Sequence, residues 1–322
     1  MTTTTKLDSL GDSSKKASII TLSSKAERGV SNWQRSFRRL RQHRMAIFGF
    51  ALLAAIIGFV VIGSLLIPES VANYNDASRK LQPPSAEHWF GTDQIGRDLF
   101  ARSIWGGQMS LFIGVTAVLL QMVVGTAIGL IAGYVGGVLD ALLMRIAEAM
   151  LSIPQLFLAL IAVRIFAGTI PDFRFLGREF SSTFVVMILI IGLTSWMRVA
   201  RIVRAAVLSL KEQEFVTAAR SLGTPTRRLL MQHILPNCFA PVIVSATLGV
   251  GGAILLEAYL GFLGLGVRAP TATWGNIIGD SYRFLSSWYF WFFPALFIIL
   301  TGLAINFIGD GLRDAFDPKS LK

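Results

Sequence analysis

Apolar residues are concentrated in six long segments separated by polar stretches. A bilayer core about 30 Å thick needs about 20 mostly apolar residues for one helix to cross it. The segments that meet this requirement are 45–67, 109–133, 139–166, 183–197, 234–260 and 289–308. The fourth is short, and we expect it to continue into the arginine-bearing stretch after Trp196. The pattern predicts an all-α, polytopic membrane protein with six transmembrane helices.

Composition supports the same class of protein. Of the 322 residues, 53% are hydrophobic and 15% are charged, whereas soluble domains carry about 25% charged residues. The single cysteine, Cys238, excludes a disulfide framework and a cysteine-cluster metal site. Segment 45–67 follows a long polar stretch and exceeds the apolar core of a signal peptide, so we expect it to remain as a span.

The net charge of +11 would suit nucleic acid, anionic lipid or membrane topology. Twenty Lys and Arg residues lie in regions that a six-span chain places on one side, namely 1–44, 198–235 and the tail after Asp310. Eight lie in the opposite connections, 68–108, 168–181 and 263–288. The positive-inside rule therefore predicts that both termini are cytoplasmic, and the charge no longer favours nucleic acid as a partner.

These spans divide the chain into successive parts. We expect a cytoplasmic tail (1–44), a first transmembrane helix (45–67), an external segment (68–108), a core of five transmembrane helices (109–310) with a short cytoplasmic helix at about 210–223, and a cytoplasmic tail (311–322). Residues 1–31 are rich in Thr, Ser and Lys, which is typical of disorder.

The end of the first tail has an amphipathic pattern. Trp33, Phe37 and Leu40 recur at helical spacing among five arginines. Either an amphipathic helix at the inner membrane interface or an ordinary basic flank fits this pattern.

Small and kinking residues interrupt the apolar segments. Gly125, Gly129, Gly133 and Gly137 recur every fourth residue, which favours close helix packing, within this bundle or against a partner subunit, over a ligand role. Pro154 frees a carbonyl in the third span and predicts a kink there, which is more often a packing feature than part of a transport pathway.

Two acids lie at membrane depth, where an ionisable group must be paired or face water. Arg145 lies three residues before Glu148, so the pattern predicts a structural ion pair. Glu257 lies near the external end of the fifth span and has no partner that the sequence identifies.

The connection between the fourth and fifth spans predicts a short, capped helix. Ser209 and Glu212 fit a capping box, and Glu214 also suits the positive end of a helix. Gly223 can end the helix in a left-handed conformation, and Thr224-Pro225 fits the start of the next one.

One face of this short helix carries small and apolar residues. Phe215, Ala218, Ala219 and Leu222 share it at i, i+3, i+4 and i+7. The alanines would let a groove on another protein come close, but a helix folded back on its own bundle fits the pattern equally well.

The same connection carries a familiar motif. The stretch 214–223 (EFVTAARSLG), followed by His233-Ile-Leu-Pro-Asn237, resembles the EAA loop of ABC importer permeases. Thr217 stands where that family usually has its glutamate, so that contact cannot be carried over.

Three further stretches resemble the OppC/DppC-type permeases of dipeptide, oligopeptide and nickel importers. They are 90–98 (FGTDQIGRD) with Arg102, 257–266 (EAYLGFLGLG) with Pro270 and Trp274-Gly275, and 306–319 (NFIGDGLRDAFDPK). All four stretches occur in the family order, and the resemblance covers roughly residues 33–322.

The resemblance implies the type I ABC importer permease fold in a bacterial or archaeal cytoplasmic (inner) membrane. It implies a homologous second permease, two ATPase subunits that use ATP and Mg, and an extracytoplasmic substrate-binding protein, with no cofactor bound by this chain itself. The short helix would contact the ATPase subunit through Glu214, Phe215, Ala218, Ala219, Leu222 and Gly223. The resemblance assigns no residue to the substrate pathway.

The chain lacks a G-x-x-x-x-G-K-[ST] phosphate loop, so we expect a transport subunit that does not hydrolyse nucleotide. Expected cargo is peptide first, then nickel, then oligosaccharide. An intramembrane enzyme would need clustered reactive groups, and the three histidines are scattered. A passive channel would conduct without nucleotide.

The external segment carries charges of both signs close together. We expect Asp93, Arg97, Asp98 and Arg102 to hydrogen-bond the segment together, with Asp98–Arg102 as an i, i+4 pair, and not to bind substrate.

Overall fold

The structure is a computed structural model that describes residues 32–175 and 178–316. The predicted disordered tail at 1–31 and the end of the second tail at 317–322 lie outside the described residues.

Helices make up most of the described chain. They are α1 (Asn32–Leu40), α2 (Arg44–Leu66), α3 (Glu69–Asn73), α4 (Leu99–Val135), α5 (Gly137–Leu151), α6 (Gln155–Phe166), α7 (Thr183–Leu193), α8 (Trp196–Leu210), α9 (Glu214–Ser221), α10 (Thr226–Arg228), α11 (Leu235–Phe262), α12 (Trp274–Ser281) and α13 (Trp288–Phe316). Short 3₁₀ turns occupy Ala77–Arg79 and Tyr282–Phe284, and a π-helical turn occupies Leu229–Ile234. A small antiparallel hairpin pairs β1 (Phe173–Phe175) with β2 (Arg178–Phe180).

Five helical stretches are long and apolar enough to cross a membrane: Arg44–Leu66, Leu99–Val135, Thr183–Leu210, Thr226–Phe262 and Trp288–Phe316. The stretch Thr183–Leu210 joins α7 and α8, so the fourth span does continue past Trp196 as expected. Helices α5 and α6 meet the same criterion together, but they are bent by 88°.

The start of the first transmembrane helix contacts the end of the last one. His43, which precedes α2, lies with its Nε2 atom 3.3 Å from Oδ2 of Asp314, near the end of α13. Gly311 lies directly against Ala46. Since these residues flank the first and last spans, the chain must cross the membrane an even number of times. The bent pair α5–α6 then counts as one crossing, and with the five continuous stretches it agrees with the predicted six transmembrane helices.

The third span is broken, whereas the sequence predicted a kinked but continuous helix. Pro154 lies just before α6 and residues 152–154 are not helical. Proline has no N–H to donate and disfavours helical backbone at the preceding residue, Ile153, so the helix stops and restarts in a new direction.

Helix α4 is the centre of the bundle and packs against α2, α7, α8 and α11. The predicted glycine ridge faces α8: a Cβ atom on Gly125, Gly129 or Gly133 would come within 2.8 Å of a valine side chain there. Gly137 is not part of the ridge, because it begins α5 and no atom of another segment lies within 4 Å of its would-be Cβ.

The predicted amphipathic segment before the first span is helical, as α1. It packs against α13. The Phe37 side chain is 59% exposed, and Arg41 lies 5.6 Å from the centre of its ring. An exposed aromatic ring beside arginines suits a position at the membrane interface.

Candidate functional site

The connection between α8 and α11 holds the short helix that the sequence predicted, with a different start. Helix α8 runs to Leu210, so Ser209 is inside it and the predicted capping box with Glu212 is wrong. Helix α9 starts at Glu214 after Gln213, whose side chain makes no capping hydrogen bond. Val207 is buried against α4, and this packing favours helical backbone through Ser209, where the capping pattern had predicted a new helix start.

The end of α9 follows the sequence closely. Gly223 has φ +76°, the left-handed conformation that glycine adopts without strain. Its N–H donates to the carbonyl of Arg220 at 3.0 Å, and the N–H of Thr224 donates to that of Ala219 at 3.1 Å. The next helix starts one residue later than predicted, with Pro225 as its N-cap.

The predicted small and apolar face of α9 is divided between two sides of the helix. Val216 is fully buried and Ala219 is 9% exposed, and both belong to the hydrophobic core. Phe215 and Leu222 are 44% and 87% exposed, and Ala218 lies exposed between them. We call Phe215, Ala218 and Leu222 the outer face of α9. Ala219 is not on it, because position i+4 turns 40° further toward the bundle.

Helix α9 is firmly attached to the bundle behind it. Val216 and Ala219 share the core with Leu229 of the π-helical turn that leads into α11. The guanidinium of Arg220 lies 5.8 Å from the ring centre of Tyr134 on α4. A displacement of α9 would therefore be passed to α4 and α11.

The external segment forms the charge cluster that the sequence predicted. Asp93 is fully buried, and its carboxylate accepts from Nε of Arg97 at 2.6 Å. Nε of Arg102 lies 3.7 Å from the same carboxylate. Both arginines also approach Asp280 on α12, at 3.4 and 3.9 Å. The cluster thus fastens the external segment to α12, and no sequence pattern pointed to Asp280.

Asp98 has a different role from the predicted pair with Arg102. Its carboxylate caps α4 by accepting from the N–H of Ala101 at 2.8 Å, and it lies 2.7 Å from Nδ1 of His88. Among the described residues, Arg102 pairs with Asp93 and Asp280 instead. Position 98 immediately precedes a helix, where a carboxylate is held by backbone donors.

A second hydrogen-bonded turn supports this segment. The hydroxyl and N–H of Ser78 donate to Asp76 at 2.6 and 3.0 Å, which holds the pKa of that carboxyl below its usual range. Gly96 has φ +84° and lies against the carbonyl of Asp76, where a Cβ would clash. The glycine of the 90–98 motif is explained by this close approach.

The intramembrane acids make structural contacts. Glu257 is fully buried and accepts from the hydroxyl of Ser110 at 3.0 Å, and that hydroxyl accepts from the N–H of Trp274 at 3.1 Å. This chain of hydrogen bonds joins α11, α4 and α12. Arg145 lies 3.6 Å from Glu148, so the predicted ion pair is confirmed.

The sequence missed a stronger pair on the same helix. Arg204 of α8 holds Asp140 of α5 through two hydrogen bonds of 2.5 and 2.6 Å. The two residues are 64 positions apart, so no local spacing connects them.

A cavity of about 420 Å³ lies between α4, α8, α11 and the break between α5 and α6. Its polar lining includes Gln121, Gln155, Thr194, Ser195, Arg198 and Ser245. The sequence assigned Arg198 to the cytoplasmic connection, whereas in the structure it lies in α8, within the candidate span Thr183–Leu210, and lines this cavity. The signal that sequence reasoning passed over was an arginine close behind a strongly apolar run.

Comparison with known proteins gives a consistent result. Residues 125–322 match the family model described as binding-protein-dependent transport system inner membrane component. Residues 31–84 match the N-terminal transmembrane domain of oligopeptide transport permease C.

Curated relatives align over nearly the whole chain. The dipeptide transport system permease protein DppC of Alkalihalophilus pseudofirmus is 42% identical over 292 residues, covering 90% of this chain and 91% of the relative. The oligopeptide transport system permease protein OppC of Bacillus subtilis is 38% identical over 301 residues, covering 92% and 93%. The OppC protein of Haemophilus influenzae is 40% identical over 295 residues, covering 90% of each chain. The resemblance drawn from the four motifs is confirmed, and the chain belongs to the family of binding-protein-dependent transport system inner membrane components.

Proposed function

We propose that this chain is the permease subunit of an ATP-driven importer of dipeptides or oligopeptides. The relatives named above are dipeptide and oligopeptide permeases, and they align with 90% and 92% of this chain. The chain would form half of the translocation pathway, and a homologous permease would form the other half.

Two ATPase subunits and an extracytoplasmic substrate-binding protein complete the proposed importer. The ATPase subunits bind and hydrolyse ATP with Mg, and this chain binds no cofactor of its own. The excess of Lys and Arg in 1–44 and in the connection that holds α9 supports a cytoplasmic position for both termini and for α9. The membrane is the cytoplasmic (inner) membrane of a bacterium or archaeon.

The outer face of α9 is the observation that carries the proposed coupling to ATP. Leu222 is 87% exposed and Phe215 is 44% exposed, on a helix whose other side is packed in the core. Large apolar side chains displayed next to a single alanine are typical of a protein interface. We infer that Glu214, Phe215, Ala218, Leu222 and Gly223 contact an ATPase subunit, and that Ala219 supports α9 from behind.

The packing of α9 can transmit a movement of the ATPase subunits to the transmembrane helices. When ATP closes the pair of ATPase subunits, α9 is carried with them, and its contacts with Leu229 and Tyr134 transmit the displacement. ATP then shifts the bundle between two arrangements, because the ATPase subunits make different contacts with α9 in each arrangement.

The test replaces Ala218 with Arg in the complete importer, reconstituted in liposomes with its binding protein. A long charged side chain on the outer face should keep the ATPase subunit away, so peptide uptake and substrate-stimulated ATP hydrolysis should fall by about tenfold or more. The matched control is Ala218→Ser, which keeps the residue small and should remain within about twofold of the unmodified importer.

Insertion of the variant is checked by its recovery from the membrane together with the second permease. Normal substrate-stimulated hydrolysis in the correctly inserted Ala218→Arg importer would contradict the proposed contact. A passive channel makes the opposite prediction for the isolated chain, which would then conduct solute without any nucleotide.

A further inference from the structure

Two broken helices meet at the cavity of about 420 Å³. One break lies at residues 152–154 between α5 and α6, and the other lies at Thr194 and Ser195 between α7 and α8. The amide Nε2 of Gln155 donates to the hydroxyl of Ser195 at 2.6 Å and ties the two breaks together. Broken helices inside a membrane are tolerated where they line a water-filled cavity, and in transporters they form substrate sites.

Arg198 gives this cavity a positive charge. It lies within the candidate span Thr183–Leu210, directly after the strongly apolar run 183–197. It is the only ionisable side chain among the described residues that line the cavity. No described carboxylate lies within 4 Å of its guanidinium, and its side chain is exposed. An arginine in a candidate span is costly unless a ligand, a partner or water compensates its charge, so Arg198 is a candidate for a functional role.

Gln121 is an independent sign of a ligand. It projects from α4, is only 8% exposed, and lines the same cavity. Its side-chain amide makes no hydrogen bond with a described residue and is not fully buried, so it is open to a ligand in the cavity. Gly249 lies opposite, where even a Cβ atom would be 3.8 Å from Oε1 of Gln121, so space remains beside the amide.

The helix ends reinforce the positive potential. Helix α6 has 12 residues and α8 has 15, and no side chain caps the N-terminus of either one. The N–H groups of the first turn carry partial positive charge and attract anions.

We propose that this cavity binds the carboxylate of a peptide during its passage, with Arg198 as the charge partner and Gln121 as a hydrogen-bond donor. The proposal rests on the proposed function as a peptide importer. The volume falls in the range of roughly 300–1,000 Å³ that is typical of small-molecule sites. One arginine and one amide that line the same cavity can bind the peptide terminus without recognising the side chains of the cargo.

The test compares a tripeptide, Ala-Ala-Ala, with its C-terminal amide. The binding protein delivers both peptides to the reconstituted importer. For each peptide, the uptake rate of a permease variant is divided by the uptake rate of the unmodified permease. This normalisation removes any preference of the binding protein, which is the same in every assay. The variants are Arg198→Gln, Arg198→Lys and Gln121→Leu, and the matched control is Arg201→Gln, three residues further along α8 and outside the cavity.

We expect Arg198→Gln to lower uptake of the free-acid peptide by about tenfold and to leave uptake of the amide within about twofold. Arg198→Lys should recover at least about half of the free-acid uptake, since it keeps the charge. Gln121→Leu should lower free-acid uptake by about threefold to tenfold. Arg201→Gln should change neither rate.

Equal effects of Arg198→Gln on both peptides, or no effect on either, would overturn the carboxylate site. The first of these outcomes is also what binding of an anionic lipid headgroup at Arg198 predicts. An unmodified importer that is stimulated by another cargo but imports neither peptide would overturn the proposed function itself. That result differs from a failure of the site, in which the unmodified importer transports both peptides.

Discussion

Ser110 satisfies two buried polar groups at once. Its hydroxyl donates to Glu257 at 3.0 Å and accepts from the N–H of Trp274 at 3.1 Å, in a region where all three residues are buried. The sequence identified Glu257 as an intramembrane acid, but its partner lies 147 residues earlier. Serine is a common residue within apolar helices, so no local pattern distinguishes Ser110 from the other serines.

Replacing Ser110 with Ala should destabilise the protein strongly for so small a change. The substitution leaves the N–H of Trp274 without its hydrogen bond and removes one of the hydrogen bonds of the Glu257 carboxyl in a buried site, which should lower the free energy of unfolding by about 2 kcal/mol. The measurement is unfolding in mixed detergent micelles. Ser64→Ala is the matched control, because its hydroxyl donates to Val61 of its own helix at an exposed site. Equal losses in both variants would refute this account.

At the scale of helices, residue periodicity predicted the helix packing correctly, whereas the local capping pattern predicted a helix start that the structure does not have. The four-residue glycine spacing predicted close packing, and three of the four glycines lie against α8. The capping pattern at Ser209 failed, because tertiary packing of Val207 extends α8 through that position. A cap contributes about 1 kcal/mol, which the burial of an aliphatic side chain can exceed.

Adding one methyl group to the ridge should separate α4 from α8. On Gly129 a Cβ atom would lie 2.6 Å from the carbonyl oxygen of Ala200 and 2.7 Å from Cβ of Val203, neither of which is flexible. Gly129→Ala should therefore lower the free energy of unfolding by about 1–3 kcal/mol. Gly58→Ala is the control, because no atom of another segment lies within 4 Å of its would-be Cβ. It should be neutral or stabilise by up to about 1 kcal/mol.

At the scale of the whole molecule, hydropathy predicted six spans but could not show that the third is broken. The bend of 88° between α5 and α6 would also fit a re-entrant loop, which returns to the side it came from. The contact between His43 and Asp314 decides for a crossing, because an odd number of spans would put these residues on opposite faces. Sequence reasoning could not find this contact, which joins positions near the two ends of the chain.

Accessibility of single cysteines in intact cells tests the number of crossings directly. In a Cys238→Ala background, Ala86→Cys lies on the external segment and Ser221→Cys lies on α9, and both positions are exposed. If α5–α6 crosses the membrane, three crossings separate the two positions and they lie on opposite faces. A membrane-impermeant maleimide should then label Ala86→Cys in intact cells and Ser221→Cys only after permeabilisation. If α5–α6 is re-entrant, two crossings separate them, and both would be labelled under the same condition. Labelling of both positions in intact cells would also remove α9 from the face where ATPase subunits act, so that outcome would contradict the proposed coupling as well as the topology.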